Sequence, residues 1–519
     1  MSELPIIPRP AQAHRLPGEF PLGPDVQIFA PSSLSGPARE LAEVLSACTG
    51  WRMAVQISEQ AAEPTLTRAI IFSEGDPAPG PEASVIDIEW FAVRIVAGGA
   101  AGAYYAVQSL LQLLPPAVVQ GVPRGDIAWA FPCAHIEDAP RFAWRGLMLD
   151  SARWFQPVSA IKRLIRQMAA LKLNTFHWHL TDDQGWRLEI EKFPKLTSVG
   201  SRRKESPRGH YGHFLGGDGI PHEGYYSRED VREIVAFAAA HQVTVVPEID
   251  MPGHARAAVA AYPEMGCCGQ APEVATSWGV HETLFSPGAP AIRFLQDILE
   301  EVIELFPGPF IHLGGDEAGK AQWEANPVAQ DQIAAAGLKG TEELQGWFIA
   351  QMARFLSERG RRVIGWDENL DGGFAGGCVA MSWRSVDKGI AAAKAGFDVV
   401  MAPKEFTYFD FYQSADSAAE PLAIGGYLPL ETVYAFEPLS PCLSPGDASR
   451  ILGVQGQIWT EYLPTPELVE YMAFPRACAL AEVAWSAPAR RDCANFLERL
   501  RPHLARLDLA GVRYRCPWR

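Results

Sequence analysis

Two adjacent carboxylates, Asp316 and Glu317, are the residues of this chain whose types and spacing most clearly suggest chemistry. They follow the apolar run 309–313 through a pair of glycines. The run has the length and apolarity of a buried strand, and paired glycines let the backbone approach another group closely. We therefore expect both carboxyl groups at the carboxyl end of a strand, which is where parallel α/β proteins bind ligands. In the structural alternative, Asp316 only caps the next segment and Glu317 forms an ordinary ion pair.

Strand and helix signals alternate along the chain from Trp144 onward. The strand candidates are short apolar runs, namely Arg145–Asp150, Asn174–Leu180, Thr244–Ile249, Phe310–Gly314, Val363–Trp366, Val379–Trp383, Asp398–Met401 and Gly453–Trp459. Helical periodicity lies between most of them, at Ser159–Leu171, Arg228–His241, Ala291–Leu305, Glu342–Arg359 and Asp387–Ala395. Eight such units predict a (β/α)₈ TIM barrel over residues 141–519, with a helical tail at its carboxyl end. The sixth and seventh helices have weak signals, so the count rests on the strands.

All eight predicted strands end in polar or aromatic residues that could face a common cleft. In chain order these are Asp150 and Arg153, Asp182 and Asp183, Glu248, Asp250 and His254, Asp316 and Glu317, Trp366, Asp367 and Glu368, Trp383, Tyr408 and Asp410, and Trp459 and Glu461. A single strand-end acid is usually structural, but eight successive ends of this kind indicate acid–base chemistry. The substrate expected is a neutral polyhydroxylated molecule held by aromatic walls. The segment Arg208–His222, with five glycines, predicts a loop over this cleft.

Residues 1–140 predict a separate small α+β domain without a catalytic constellation, and we expect it to serve packing or positioning. Its strand candidates are Val26–Phe29, Ala54–Ile57, Ala69–Phe72, Ser84–Ile88 and Ala92–Val96, and its helix candidates are Pro37–Ser46 and Ala101–Leu114. The second helix should stop before the pair Pro115-Pro116, because proline cannot continue a helix.

Composition limits the partners of the chain. The 519 residues are 48% hydrophobic and 20% charged, with a formal net charge of −16, so a nucleic-acid partner is not expected. No apolar run reaches transmembrane length, so no membrane partner is expected either. The nine cysteines show no metal-ligand spacing, and residues 1–9 show no signal peptide, which together favour a cytoplasmic location with reduced thiols. Oligomeric state has no signal in the sequence.

Four stretches carry a resemblance to a known family. They are residues 145–153 (RGLMLDSAR), 176–186 (FHWHLTDDQGW), 247–254 (PEIDMPGH) and 312–317 (HLGGDE). In order and spacing they resemble the family 20 glycoside hydrolases, the β-N-acetylhexosaminidases, and the amino-terminal domain resembles the small domain that precedes the barrel in that family. The resemblance implies a retaining glycosidase that removes terminal non-reducing β-linked N-acetylhexosamine from oligosaccharides or glycoconjugates. The choice between GlcNAc and GalNAc stays open.

In this family the acetamido oxygen of the sugar, instead of an enzyme carboxylate, attacks the anomeric carbon. The resemblance implies that Glu317 is the general acid/base and that Asp316 orients the acetamide and stabilises the oxazolinium intermediate. The substrate-binding residues that it implies are Arg153, Asp182, His254, Trp366, Trp383, Tyr408, Asp410, Trp459 and Glu461. Within this set Asp182 and His254 match a pair that supports the acid/base. No cofactor and no metal are expected.

Three other functions stay open at this point. A metal-dependent barrel hydrolase could use His177 and His179, whose spacing on a strand places both imidazoles on one face. A two-carboxylate retaining β-glycosidase could use Glu405 as its nucleophile. A sugar-binding protein without catalysis could keep the barrel and the aromatic residues, although the intact pair Asp316 and Glu317 argues against it.

Overall fold

The fold consists of a sheet domain followed by a barrel. The computed structural model describes residues 3–58, 68–77 and 80–518. The amino-terminal part forms a seven-stranded sheet, and a closed barrel of eight parallel strands follows it. The predicted fold class, a (β/α)₈ barrel preceded by a small α+β domain, is confirmed.

The amino-terminal sheet is mixed, and its strands lie in the spatial order β1-β7-β5-β6-β4-β2-β3. These strands are β1 (Gln12–Pro21), β2 (Gln27–Ala30), β3 (Val55–Ile57), β4 (Ala69–Glu74), β5 (Ser84–Ile88), β6 (Ala92–Ala97) and β7 (Ala130–Asp138). Helices α1 (Ser35–Thr49) and α2 (Ala100–Leu113) pack their apolar residues into one core with the sheet. Helix α2 ends just before Pro115, as the proline pair predicts.

The sequence pattern does not predict β1 and β7, which pair with each other in antiparallel register. Most residues of β1 are exposed, so it lacks the alternation of apolar and polar residues that marks a strand with one buried face. Its register also shifts between Arg15 and Glu19. Strand β7 alternates in burial but contains Pro132, which is a poor strand residue.

The barrel strands lie where the sequence predicts them, within one or two residues at each end. The eight barrel strands are β8 (Trp144–Asp150), β9 (Thr175–His179), β14 (Thr244–Glu248), β15 (Phe310–His312), β16 (Arg362–Trp366), β17 (Val379–Ser382), β18 (Asp398–Met401) and β19 (Ile451–Ile458). Two short antiparallel pairs lie between β9 and β14 in the chain, namely β10 (Thr181–Asp182) with β11 (Gly185–Trp186) and β12 (Arg202–Arg203) with β13 (His222–Glu223). Strand β19 pairs with β8 and closes the barrel.

Helices surround the barrel, but the connections differ in length. They are α3 (Val158–Ala170), α4 (Lys195–Ser198), α5 (Arg228–Ala240), α6 (Arg256–Ala261), α7 (Ala289–Leu305), α8 (Ala321–Ala325), α9 (Pro327–Ala336), α10 (Thr341–Ser357), α11 (Val386–Lys394), α12 (Lys404–Thr407), α13 (Leu430–Ala435), α14 (Pro445–Ala448), α15 (Pro466–Ala473), α16 (Arg476–Trp485) and α17 (Cys493–Leu509). After β16 the chain makes one 3₁₀ turn, and after β18 the helices are short, so the weak helical signal after β18 has a structural basis.

Apolar side chains fill the barrel interior below the carboxyl ends of the strands. A separate interior cluster includes Met148, Val246, Ile364, Val379, Met381 and Val400. This layer makes the barrel a packed core, which holds the strand ends in fixed positions. Of the helices in the described ranges, none is both long enough and apolar enough to cross a membrane. All nine cysteines lie within these ranges, and all are free thiols.

Candidate functional site

A cavity of about 640 Å³ opens at the carboxyl ends of the barrel strands. All but two of the predicted site residues line it, namely Asp316, Glu317, Arg153, Trp366, Trp383, Tyr408, Asp410, Trp459 and Glu461. They come from the ends of six different strands, so the barrel brings together residues that are up to 308 positions apart in the sequence. This volume and this mixture of acids and aromatic rings suit a small polar ligand.

The turn after β15 presents Asp316 and Glu317 to the cavity. Gly314 and Gly315 have φ values of 65° and 98°. A Cβ atom on Gly314 would lie 1.8 Å from Asp250 Oδ1, and one on Gly315 would lie 2.3 Å from the Asn369 side-chain amide, so both positions require glycine. Glu317 itself has a φ of 47°, which non-glycine residues rarely adopt and which is typical of functional turns.

His254 lies behind the two carboxylates and contacts both. Its Nε2 is 3.6 Å from Asp316 Oδ2 and 3.6 Å from Glu317 Oε2, and its Nδ1 is 3.1 Å from Asp182 Oδ1. Like Glu317, it is one of the few described non-glycine residues with a positive φ, here 48°. Burial by itself would lower the pKa of His254, but Asp182 and Asp316 outweigh it and hold that pKa well above its usual value. The imidazole is therefore a cation between carboxylates.

Asp182 and His254 are the two predicted site residues that do not line the cavity. Both are buried and lie behind the cavity wall, so neither lines the cavity. Asp182 accepts from His254 and forms an ion pair with Arg153, at 2.8 Å from Nη2. The support of the acid/base by this pair, which the family resemblance implies, fits these positions.

Glu248, at the end of β14, is the centre of a cluster in the barrel interior. Its Oε2 lies 2.5 Å from His179 Nδ1 and 3.0 Å from His177 Nε2, and Trp366 Nε1 donates to its Oε1 at 2.9 Å. Burial opposes ionisation of Glu248, but His312 and the two other histidines outweigh it and lower its pKa well below the usual value. Glu248 is therefore an anion enclosed by donors.

This cluster bears on the metal-dependent alternative. Among the described residues, acids and histidines close enough to share a metal ion include His177, Glu248 and His312, and also His179, Glu248 and Asp250. These side chains are almost completely buried, and His177 and His179 do not line the cavity. A metal held there would not meet a ligand in the cavity, so the geometry disfavours His177 and His179 as the ligands of a metal-dependent hydrolase.

Arg153 closes one end of the cavity. Its guanidinium lies 3.2 Å from Asp150 Oδ2 and 3.9 Å from Glu461 Oε1, and it stacks 5.0 Å from the centre of the Trp459 ring. Asp410 lines the same cavity, and no described residue forms a hydrogen bond with its buried Oδ1. Burial, followed by Glu461, raises the pKa of Asp410 well above its usual value. This end therefore offers a charged donor and a carboxyl group to ligand hydroxyl groups.

Three tryptophans and a tyrosine form the aromatic walls. The rings of Trp366 and Trp459 lie 5.9 Å apart, and Trp383 stacks on Tyr408 with ring centres 6.0 Å apart. Glu368 holds Trp383 in place, because Trp383 Nε1 donates to its carboxyl oxygens at 2.8 and 3.0 Å. Burial, then Asp316 and Asp367, raise the pKa of Glu368 to about 8. The walls therefore enclose a narrow apolar space next to Asp316.

Several residues of the cavity are not among the predicted site residues. Loops contribute Tyr211, Trp278, Ile424 and Tyr462 from one side of the mouth, and Lys404 follows β18. The segment Arg208–His222 does reach the cavity, as expected, because Tyr211 donates its backbone N–H to the Tyr462 hydroxyl at 2.9 Å. The sequence gives no periodic signal for loop residues, and only the aromatic types would have marked them as candidates.

The alternative nucleophile Glu405 is contradicted by its position. It lies in α12, is exposed, and does not line the cavity, whereas its neighbour Lys404 does. A nucleophile must lie within reach of the anomeric carbon next to the acid, and a side chain outside the cavity cannot do so. This alternative stayed open because α12 is too short to be recognised from periodicity, so the face of Glu405 could not be assigned.

The fold and the cavity are typical of a (β/α)₈ hydrolase, and comparison with known proteins gives the family. Residues 142–488 match the catalytic domain of glycosyl hydrolase family 20, and residues 3–139 match domain 2 of the same family. The chain therefore belongs to glycosyl hydrolase family 20, which confirms the resemblance seen in the four motifs.

The similar proteins agree with this membership. A β-hexosaminidase of Porphyromonas gingivalis is 41% identical over 516 residues, which are 99% of this chain and 64% of that protein. A β-N-acetylhexosaminidase of Cellulomonas fimi is 33% identical over 526 residues, 99% of this chain and 96% of that one. An exo-β-N-acetylglucosaminidase structure from Vibrio harveyi, in complex with N-acetylglucosamine, superposes with a TM-score of 0.85 at 33% identity, over 99% of this chain and 79% of that one. The chain thus spans less than two thirds of the Porphyromonas relative.

Proposed function

We propose that this chain hydrolyses the β-glycosidic bond of a terminal, non-reducing N-acetylhexosamine in oligosaccharides or glycoconjugates, with retention of configuration. The observation that carries the proposal is the state of Asp316. Among the described residues its buried Oδ1 has no hydrogen-bond partner, although it lies in a cavity beside Glu317 and the tryptophan walls. A buried carboxylate oxygen without a donor is costly, and a ligand N–H would satisfy it.

The acetamido group of the substrate supplies such an N–H. Its carbonyl oxygen is a weak neutral nucleophile, so attack needs an anion near the N–H and a tight apolar space that holds the group at attack distance. Asp316 would accept the N–H, and Trp366, Trp383 and Trp459 would enclose the methyl group. Tyr408, which lines the same space, would donate its O–H to the carbonyl oxygen.

Glu317 has the exposure that proton transfer to the leaving group requires. Its side chain is 41% exposed, against 12% for Asp316, so it faces the open part of the cavity. In the first step the acetamide oxygen bonds to the anomeric carbon, the bond to the leaving oxygen breaks, and Glu317 gives its proton to that oxygen. Water then attacks the anomeric carbon of the oxazolinium, the bond from that carbon to the acetamide oxygen breaks, and the Glu317 carboxylate accepts the proton of the water.

The closed end of the cavity supports removal of a terminal sugar. Arg153 and Asp410 would bind hydroxyl groups at the non-reducing end, and the ion pair of Arg153 with Asp182 fixes the guanidinium. Both GlcNAc and GalNAc remain candidate substrates. The protein from Vibrio harveyi with bound N-acetylglucosamine supports a small carbohydrate ligand for this cavity.

The test is the release of p-nitrophenol from three substrates under identical conditions. We expect the β-N-acetylglucosaminide, the β-N-acetylgalactosaminide or both to be hydrolysed, and the plain β-glucoside to be nearly inert because it lacks the acetamide. A thiazoline mimic of the cyclised intermediate should inhibit strongly. Comparable hydrolysis of the glucoside would overturn the substrate-assisted mechanism, and binding of sugars without hydrolysis of any substrate would favour a sugar-binding protein.

A further inference from the structure

A second cavity, of about 580 Å³, lies between the amino-terminal domain and the barrel. Helices α1 and α2 form one side, and α3 and α17 form the other. His241, which follows α5 and directly precedes β14, also lines it. Because residues before a strand lie at the amino-terminal face of the barrel, this cavity is on the side opposite the candidate active site.

The inner part of this cavity holds buried polar groups that lack partners. Within the part of the chain that the structure describes, no hydrogen-bond partner is found for either ring nitrogen of His503, for Nε and Nη1 of Arg506, or for Nε2 of Gln108. These three side chains are only 3%, 6% and 7% exposed. Buried donors are paired in nearly all protein interiors, so several unpaired donors around one space indicate that something else accepts from them.

The charge of Arg506 is also uncompensated. Its Nη2 donates to two backbone oxygens, Gln112 O at 2.5 Å and Leu114 O at 2.8 Å, but its other nitrogens face no acceptor. Burial lowers the pKa of Arg506 to about 10, and no carboxylate of the described chain contributes to that shift. A buried cation without an anion is costly, and a bound anion would offset that cost.

Two acids of α1, Glu40 and Glu43, also line the cavity. Burial raises the pKa of Glu40, while His241 and Arg166 oppose that rise. Glu43 is exposed at the rim. Burial, followed by Arg506, lowers the pKa of His503 to about 3, so His503 is neutral and can donate one N–H to an anion. The inner cavity therefore combines one cation with neutral donors.

Apolar side chains complete the wall. Leu111, Val118 and Leu507 lie around the cavity, and the exposed Val119 lies at its rim. Inorganic phosphate or sulfate would satisfy the donors but would leave this apolar surface in water. A carboxylate attached to a short apolar body would satisfy both parts.

We propose that this interdomain cavity is a binding site for a small organic carboxylate with an apolar body. The carboxylate accepts from Arg506, Gln108 and His503, and the apolar body lies against α1, α2 and α17. Because the ligand contacts both domains, it stabilises their association. The proposal is independent of the hydrolytic function of the other cavity.

The experiment measures thermal unfolding of the full chain with four probes at equal concentration: octanoate, octanol, octylammonium and inorganic phosphate. We expect octanoate alone to raise Tm, by about 2 °C or more, since a ligand that binds only the folded state stabilises it. Isothermal titration should give one site for octanoate, and saturating N-acetylglucosamine should leave that binding unchanged. An equal shift with octanol or with phosphate would overturn the carboxylate assignment, and no shift with any probe would show a solvent-filled cavity.

Variants locate the binding. Gln108→Leu removes one unpaired donor without disturbing the backbone contacts of Arg506, and should weaken octanoate binding at least several-fold. Arg506→Gln removes the charge and should abolish the octanoate shift. Arg501→Gln, on an exposed position of the same helix, is the matched control and should keep it. If Arg506→Gln does not fold, the octanoate affinity of Gln108→Leu is the test. An unchanged affinity in that variant would overturn the proposal.

Discussion

Glu248 and Asp316, two acids at the carboxyl end of the barrel, differ in their hydrogen bonding. Glu248 is fully buried and lies within 3.0 Å of nitrogens from His177, His179 and Trp366. Oδ1 of Asp316 has no hydrogen-bond partner in residues 3–58, 68–77 and 80–518. The first carboxylate therefore has donors for both of its oxygens within the protein, whereas the second leaves one oxygen open beside the cavity.

The difference shows how to separate structural from functional acids. Glu248, on the third barrel strand, and Asp316, after the fourth, follow apolar strands and are equally plausible as catalytic residues in the sequence. What distinguishes them is hydrogen bonding. A buried carboxylate whose oxygens all accept hydrogen bonds adds stability, and one with an unpaired oxygen beside a cavity is available for chemistry. The following predictions test this distinction, beginning with the largest expected effect.

Glu317→Gln and Asp316→Asn should reduce the rate by on the order of 10²–10⁴-fold, the usual range for a positioned acid–base group. The two variants should differ in their dependence on the leaving group. Glu317→Gln should slow the hydrolysis of substrates with poor leaving groups most, because phenolates depart with little protonation. Asp316→Asn should slow good and poor leaving groups by similar factors, because the acetamide must cyclise in both.

The measurement is a leaving-group series for both variants, with folding checked by circular dichroism. Asp316→Asn removes a charge that raises the pKa of the buried Asp250 but that also lies 3.6 Å from the imidazolium of His254, so these opposing effects should leave the thermal stability little changed. Identical leaving-group sensitivity in the two variants would show that the roles are assigned wrongly.

Glu248→Gln should act mainly on stability. The change leaves the imidazolium of His179 without its closest anion, and loss of one partner of a buried pair costs on the order of 3 kcal/mol of unfolding free energy. Denaturant unfolding measures this loss, with the exposed Glu358→Gln as control. A fully stable Glu248→Gln variant with a rate as low as that of Asp316→Asn would contradict the structural role of this cluster.

The pH dependence of the unfolding free energy should reflect the raised pKa of Glu368. The pKa of Glu368 is raised from its ordinary 4.5 to about 8, first by burial and then by Asp316 and Asp367. Between these two values the folded chain keeps a proton that the unfolded chain releases, so Glu368 lowers stability as the pH rises through this window. Glu368→Gln should flatten that decrease, and Asp316→Asn should flatten it in part. Unfolding curves from pH 4.5 to pH 8 give the slopes, and a slope unchanged in Glu368→Gln would refute the assignment.

The smallest expected effect is that of chelation. Activity should survive dialysis against EDTA, because side chains and the substrate acetamide supply every proposed step without a Lewis acid. The rate before and after dialysis, with zinc added back, is the measurement. Loss with EDTA and recovery with zinc would return His177 and His179 to consideration as ligands.

Much of the fold and the centre of the site follow from local sequence. Apolar runs of strand length, the glycines before Asp316 and the proline pair after α2 act over a few residues, so their effects are readable without the fold. The strand ends then meet on one face because every strand of the barrel is parallel. For this reason nine of the residues that line the cavity could be named in advance.

The sequence by itself determined the class of the barrel, the family motifs and the pairing of Asp316 with Glu317, since neighbours in the chain remain neighbours in space. Only the tertiary structure decided that both oxygens of Glu248 accept hydrogen bonds, whereas Oδ1 of Asp316 accepts none from the described residues. It also placed Glu405 outside the cavity and brought Tyr211 and Trp278 to the mouth of the cavity. It also decided that Arg506 is buried between two domains without an anion. These properties depend on contacts between residues far apart in the chain, whose geometry no local pattern encodes, because packing and burial set them.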